Sequence, residues 1–243
     1  MNDNKLNFLY RIILSILLLI PSVTRSQVIP SSDRSREAIA RVQPGLIKRV
    51  NEQGMVWGSP IFIRIFKQEY ELEVWMKKDK QYVLIFTYQI CSLGNNEPGP
   101  KEYRGDGHTP EGFYFITPDR LNPYSNYYLS FDLGYPNSYD RAHQRTGSAL
   151  MVHGGCASRG CVAMTDKNIE EIYTLADAMF RKGNLCIGIH IFPFRMTPEN
   201  MEKHKTSQWI NFWKNLKEGY DFFEKNGYPP DTLVENGRYV FLK

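Results

Sequence analysis

His153, Cys156 and Cys161 fall within nine residues, in the stretch HGGCASRGCVAMTD that runs from His153 to Asp166. Gly154, Gly155 and Gly160 punctuate it, so the chain there turns rather than running on as a helix or strand. Three chemistries share this composition. A metal site would join His153, Cys156 and Cys161 to Cys186 or His190, but H-x2-C-x4-C lacks the repeated short pairs that zinc sites favour, and no metal is assigned. A disulfide loop would pair Cys156 with Cys161, or Cys91 with Cys186. The third reading is a cysteine nucleophile with a base. His153 ends an alternating run, Ala149, Met151, His153, and two glycines allow a sharp turn after it. The chain then returns through Ser158, Arg159 and Gly160 to Cys161, where an imidazolium would lower the thiol pKa and make a competent acyl acceptor. Backbone N–H groups of Arg159, Gly160 and Cys161 would face a developing oxyanion, and Arg159 would favour the thiolate or hold a carboxylate.

The elements that must position these residues are mostly strands. The segments PIFIRIF, YELEVWM and YVLIFTYQI alternate with period two, placing Tyr70, Leu72, Val74 and Met76 on one face and Tyr82, Leu84, Phe86 and Tyr88 on another. FYFIT, ALMVH and LCIGIHIF continue the pattern. Residues 92–112 and the run GYPNSYDRAHQRTGS read as polar loops. Thr165 or Asp166 is expected to cap a helix reaching about Lys182. Ser35 to Asn51 reads as one or two short helices broken at Pro44 and Gly45. The tail from Pro198 to Asn226 reads as a helix whose stripe, Trp209, Phe212, Trp213, Leu216, Tyr220 and Phe223, is a packing face. GRYVFL closes the chain as a short strand. The expectation is a mainly β chain with helical additions at both ends.

Among other chemically capable residues, His108 and His143 lie in loops, where a bland reading is set beside a substrate contact for both. Asp140, Arg141 and Arg145 read as solvated loop charge, and His190, between apolar neighbours, as a satisfied core or strand-edge histidine. Cys156 reads as a reduced bystander, with a bond to Cys161 as the alternative that would switch the nucleophile off.

The 243 residues, with 42% hydrophobic and 14% aromatic content, suffice for a large packed core. The net charge of +4 is spread along the chain, so no basic surface for nucleic acid is visible. Lys5 and Arg11 precede an apolar run, Ile12 to Ile20, followed by Pro21 and small residues to Ser26. This is the layout of a leader peptide, too short for an ordinary membrane span. Export to the periplasm or cell envelope is therefore expected, and no membrane span beyond the leader.

The run HGGCASRGCVAMTD, with GDGHTPEGFYFIT upstream, resembles the L,D-transpeptidase catalytic domain family (YkuD type). LSFDLGYPNSYDR, GSALMVHGGC, HIFPFRMT and FWKNLKEGYDFFE resemble its YafK-like branch, from about Ser59 to Phe223. The resemblance implies a β-sandwich catalytic domain over 57–195, preceded by a leader (1–26) and a helical segment (27–56) and followed by a helical extension (196–243). It implies that Cys161 is the acyl-enzyme nucleophile and His153 its base, oriented by the Gly154 carbonyl, with Ser158, Arg159 and Gly160 contacting the oxyanion or substrate. The implied substrate is a peptidoglycan stem peptide cut after its diamino acid, the thioester being resolved by an amine or by water. A wall-attached protein is an implied partner. No metal or organic cofactor is needed. The chain departs from the family pattern in its short His153-to-Ser158 segment, in Arg159 where most members carry histidine, and in Ala163 where most carry arginine. These departures weaken the cross-linking reading, and the branch resemblance instead implies hydrolysis as the alternative, releasing a protein or peptide attached to the diamino acid. A non-catalytic wall-binding protein with disulfide-bonded cysteines is the reading from another class.

Overall fold

The computed structural model describes residues 28–95 and 97–242. The leader-like stretch lies outside the described residues. Helix α1 (Asp33–Glu52) starts at Ser32, whose hydroxyl accepts the Ser35 N–H while Ser35 returns a bond to the Ser32 backbone. It runs unbroken through Pro44, contrary to the expected break. Ala38, Leu46 and Val50 are buried on both sides of the proline, and this packing offsets the roughly 3 kcal/mol that an interior proline costs.

Strands β1 (Ile61–Phe66), β2 (Glu71–Lys78), β3 (Gln81–Gln89) and β4 (Gly112–Ile116) follow. A bulge where Val74 pairs with Phe86 and Trp75 with Leu84 breaks the expected alternation of β3. Ile85 and Phe86 are therefore both buried while Leu84 is exposed. Next come β5 (Leu121–Asn122), β6 (Ser130–Asp132), a short helix α2 (Ser138–Ala142), β7 (Met151–His153) and β8 (Val162–Ala163). Helix α3 (Asp166–Arg181), capped by the Thr165 hydroxyl, leads to β9 (Ile187–Phe192).

Two sheets result. One has the order β3-β2-β1-β9-β4, with β1 and β9 parallel and the remaining pairs antiparallel. The other has the order β5-β6-β7-β8, with β7 and β8 parallel. One continuous apolar core, including Ile63, Leu72, Val74, Phe131, Val152, Ile172 and Leu46, is shared by both sheets, α1 and α3. Ion pairs Arg41–Glu170 and Arg49–Glu171 fasten α1 to α3 at its surface. The chain is mainly β with helical additions.

The tail divides into α4 (Pro198–Lys203) and α5 (Ile210–Asn226) rather than forming one helix. Phe212, Trp213, Leu216, Tyr220 and Phe223 of α5 bury against Phe66, Phe113, Phe192 and Phe194, so the apolar stripe is a packing face. Glu111 ties this layer down, accepting from Lys67 Nζ and Trp213 Nε1 at 2.8 Å each. The closing strand β11 (Arg238–Leu242) pairs in a hairpin with β10 (Asp231–Glu235), whose sequence carries only a weak strand signal.

Candidate active site

Parallel pairing of β7 with β8 brings the two chemical groups together. Val152 is opposite Val162 and His153 opposite Ala163, so Cys161 falls beside Met151, two residues before His153 and on the same face. The Met151 N–H lies 3.4 Å from Cys161 Sγ, and the thiol reaches the Ala149 carbonyl at 3.7 Å. His153 Nδ1 lies 2.5 Å from the Gly154 carbonyl oxygen. A carbonyl only accepts, so Nδ1 carries the proton and Nε2 keeps its lone pair.

The turn after His153 is held from several directions. Gly155 donates its N–H to Asp166 Oδ1 at 2.8 Å, and the Gly154 N–H is shared between the Tyr127 and Leu129 carbonyls. A Cβ at Gly154 would stand 2.6 Å from Asp166 Oδ1 and 2.9 Å from the Tyr127 carbonyl oxygen, which leaves room for glycine alone. The Tyr127 ring packs against the His153 imidazole, centroids 4.6 Å apart. Ser158 closes the second turn: its Oγ accepts the Gly160 N–H at 3.1 Å and donates to the Cys161 carbonyl at 2.6 Å. Gly160, at φ +118°, backs onto the His108 carbonyl, where a Cβ would stand 2.8 Å away.

This geometry corrects several expectations. The Gly160 N–H is engaged by Ser158, which leaves the Arg159 and Cys161 N–H groups as candidate oxyanion donors. Arg159 is exposed. The sulfur of Cys156 is bonded to Cys91, so Cys156 is neither a bystander, nor a partner of Cys161, nor a metal ligand beside it. Cys91 reaches that position because its backbone N–H and that of Ala163 tie the end of β3 to β8, donating to the Ala163 and Ser92 carbonyls. Cys161 and Cys186 are free. Among the described residues, no group of three or more His, Cys, Asp and Glu is placed to hold a metal ion.

The loop residues also differ from expectation. Asp140 and Arg145 form a buried ion pair at 2.9 Å, and Tyr114 donates to Asp140 at 2.8 Å, while Arg141 is exposed. His143 stacks on Tyr139. His108 sits behind Gly160 with Nε2 3.2 Å from Asn95. His190 is buried as expected but not satisfied, its Nδ1 lacking a partner among the described residues.

Electrostatics set the resting state. Burial pushes the Cys161 thiol up, as does Asp132, opposite Met151 on β6, against the pull of the Met151 N–H and of Lys101. Burial also pulls the His153 imidazole below its ordinary value, against the Gly154 carbonyl bond. The pair therefore rests as neutral thiol and neutral imidazole, not as the thiolate–imidazolium pair the spacing suggested. Such a pair can act by general-base catalysis, in which the thiol proton moves to Nε2 as sulfur attacks.

Known proteins resemble this chain over most of its length. The L,D-transpeptidase catalytic domain (YkuD) matches residues 60–187, just over half of the chain. A protein of Escherichia coli (strain K12) named "Putative L,D-transpeptidase YafK" is 41% identical over 227 residues, covering 93% of this chain and 88% of the relative. The chain belongs to the L,D-transpeptidase catalytic domain family. Among solved structures, the K307A mutant of the helical cell shape determining protein Pgp2 from Campylobacter jejuni aligns with TM-score 0.46 and 20% identity, covering 82% of this chain and 68% of that one. Bd1075 of Bdellovibrio bacteriovorus aligns with TM-score 0.39 and 24% identity, over 69% and 61%.

Proposed function

We propose that the protein is an exported cysteine acyl-transfer enzyme of the cell wall. Cys161 Sγ attacks the carbonyl of the diamino acid in a peptidoglycan stem peptide, and His153 Nε2 takes the thiol proton. The carbon–nitrogen bond after the diamino acid then breaks, the proton passes to the departing amine, and a thioester remains on Cys161. An amine acceptor or water resolves it. The observation that carries this reading is the His153 Nδ1 contact with the Gly154 carbonyl, which leaves Nε2 unprotonated on the strand that pairs beside the one following the free thiol. Arg159 and Cys161 N–H groups stabilise the oxyanion, and Ser158 and Gly160 shape the turn that presents the sulfur. Residues 57–195 supply this machinery, and 196–243 brace it through α5.

Hydrolysis is the second reading, releasing a protein or peptide attached to the diamino acid. It is favoured by the short span between His153 and Ser158 and by a Cys161 that is only partly buried, so that water has access. The test is intact-protein mass spectrometry of the mature, Cys161-reduced chain with defined muropeptides, with and without an amine acceptor, beside Cys161→Ala. A Cys161-dependent adduct or product is expected, and amine-linked against water-cleaved products separate transferase from hydrolase. Wall binding with neither adduct nor product would overturn the enzymatic reading in favour of a binding module.

A further inference from the structure

Helix α1 precedes the residues that match the catalytic-domain family, yet it reaches the base. The link is the segment 123–129, which joins β5 to β6. Ser32 Oγ donates to the Pro123 carbonyl at 3.0 Å, and one guanidinium nitrogen of Arg34 donates to the carbonyls of Ser125 and Tyr128 at 2.8 and 2.9 Å. Tyr128 sits in the left-handed region at φ +68°, a conformation that a tyrosine keeps only where its surroundings over-determine it. Its phenol is engaged by Arg41 of the same helix and by Glu170 of α3. Tyr127 is thus flanked on both sides by backbone that α1 holds.

Tyr127 meets both the base and the residue after it. Its carbonyl accepts the Gly154 N–H at 3.0 Å, and its ring lies 4.6 Å from the His153 imidazole, tilted by 34°. The Nδ1 bond to the Gly154 carbonyl fixes one edge of the imidazole. Histidine's terminal torsion is broad, so one in-plane bond leaves the ring free to twist about it. A second ring packed on its face removes that freedom. Tyr127 is 50% exposed and His153 only 2%, so the phenol ring also stands between the imidazole and water. Tyr128 packs against the apolar core, whereas Tyr127 belongs to neither apolar cluster of the described residues. We propose that Tyr127 is a positioning residue for His153 and that α1 braces it through Arg34, which makes the N-terminal helix part of the catalytic apparatus. The catalytic meaning of this brace rests on the functional reading above, whereas the orientation of the imidazole does not.

The test follows His153 in the mature chain in two ways, by its imidazole C–H resonances as pH is varied and by the pH profile of muropeptide turnover. Burial holds His153 low, and the charges near the pair, Asp132 and Lys101 at Cys161 and Asp166 at the turn, are retained in every variant, so a shift reports loss of the ring's cover. Tyr127→Ala should raise the His153 midpoint toward the ordinary value of about 6.5 and carry the acid limb of kcat/KM with it. It should lower kcat about tenfold and change KM little. Tyr127→Phe, which keeps the ring, should restore most of both. Arg34→Ala should move the midpoint in the same direction by less and lower kcat several-fold. Arg36→Ala, on the same turn and bonded to Ser31 and Asp33, should change neither. Midpoint and kcat unchanged in Tyr127→Ala, a fall in kcat with the midpoint unmoved, or Tyr127→Phe as impaired as Tyr127→Ala would overturn the positioning role. Arg34→Ala indistinguishable from Arg36→Ala would overturn the brace. Circular dichroism monitors folding, and Arg34→Ala, at an exposed site, carries the test should Tyr127→Ala not fold. The resonances need no reaction, so a native protein without turnover would sink the functional reading while the midpoints still decide the brace.

Discussion

Asp166 Oδ1 accepts the backbone N–H of Gly155 at 2.8 Å, so the first residue of α3 holds the turn that orients His153. Asp166→Ala should cost about 1 kcal/mol of stability and lower turnover roughly tenfold or more, since small misplacements of a base are costly. Asp166→Asn keeps an amide oxygen able to accept the same bond and should restore most activity. Equal losses in both variants would show that the carboxylate charge, rather than the turn, is what matters.

The neutral resting pair predicts how Cys161 alkylates. Because burial raises the thiol, its iodoacetamide rate should climb through a midpoint above about pH 8.5, the ordinary cysteine value. A rate plateau already reached at neutral pH would reveal a thiolate–imidazolium pair. The acid limb of kcat/KM should report His153 losing its proton. With its pKa lowered, that limb should fall below about pH 6.5.

His190 gives stability its own pH dependence. In the unfolded chain this imidazole takes up a proton near about pH 6.5, whereas the folded protein holds it neutral well below that. The unfolded state binds more protons in this window, so its contribution is fully present above the unfolded pKa and is lost as pH falls toward the folded one. Urea unfolding from about pH 8 down to about pH 5 should show this loss, and His190→Phe should flatten it. A slope unchanged by the substitution would assign the acid sensitivity to other groups.

The Cys91–Cys156 bridge spans 65 residues of sequence, for which chain entropy predicts a stabilisation of about 4 kcal/mol. Cys91→Ser with Cys156→Ser should lower the melting temperature and reduce turnover, because Cys156 lies three residues beyond His153. Mild reductant should reproduce both effects. Turnover unaffected in the double variant would mean that the Asp166 and Tyr127 contacts suffice to hold the turn.

Runs of β-branched and aromatic residues located β1, β4 and β9, although these strands are buried at nearly every position and show no period-two burial, because both faces of their sheet are covered. The turns at Gly154 and Gly160 were legible because tight backbone approaches admit only glycine. What escaped was set by distant contacts. Pro44 stays helical because α3 packs alongside α1, and Cys156 finds Cys91 because β3 ends against β8. Asp140 and Arg145 pair out of water because α2 folds over Tyr114, a contact that no local charge pattern announces. Asp166 was visible only as a helix-start residue. Its second role, anchoring the Gly155 N–H, needs the register of β7 beside β8.

The parallel placement of β7 and β8 has a consequence for how the site assembles during folding. A direct crossover between adjacent parallel strands normally takes a dozen residues or more, yet here His153 and Val162 are joined by a short, glycine-rich connection. Closing so small a loop costs little chain entropy, and the two reactive groups can meet early. Docking of the β3 end onto β8 closes the far longer span back to Cys91 and costs more chain entropy. Making the pair and fixing its geometry therefore draw on loop closures of very different length.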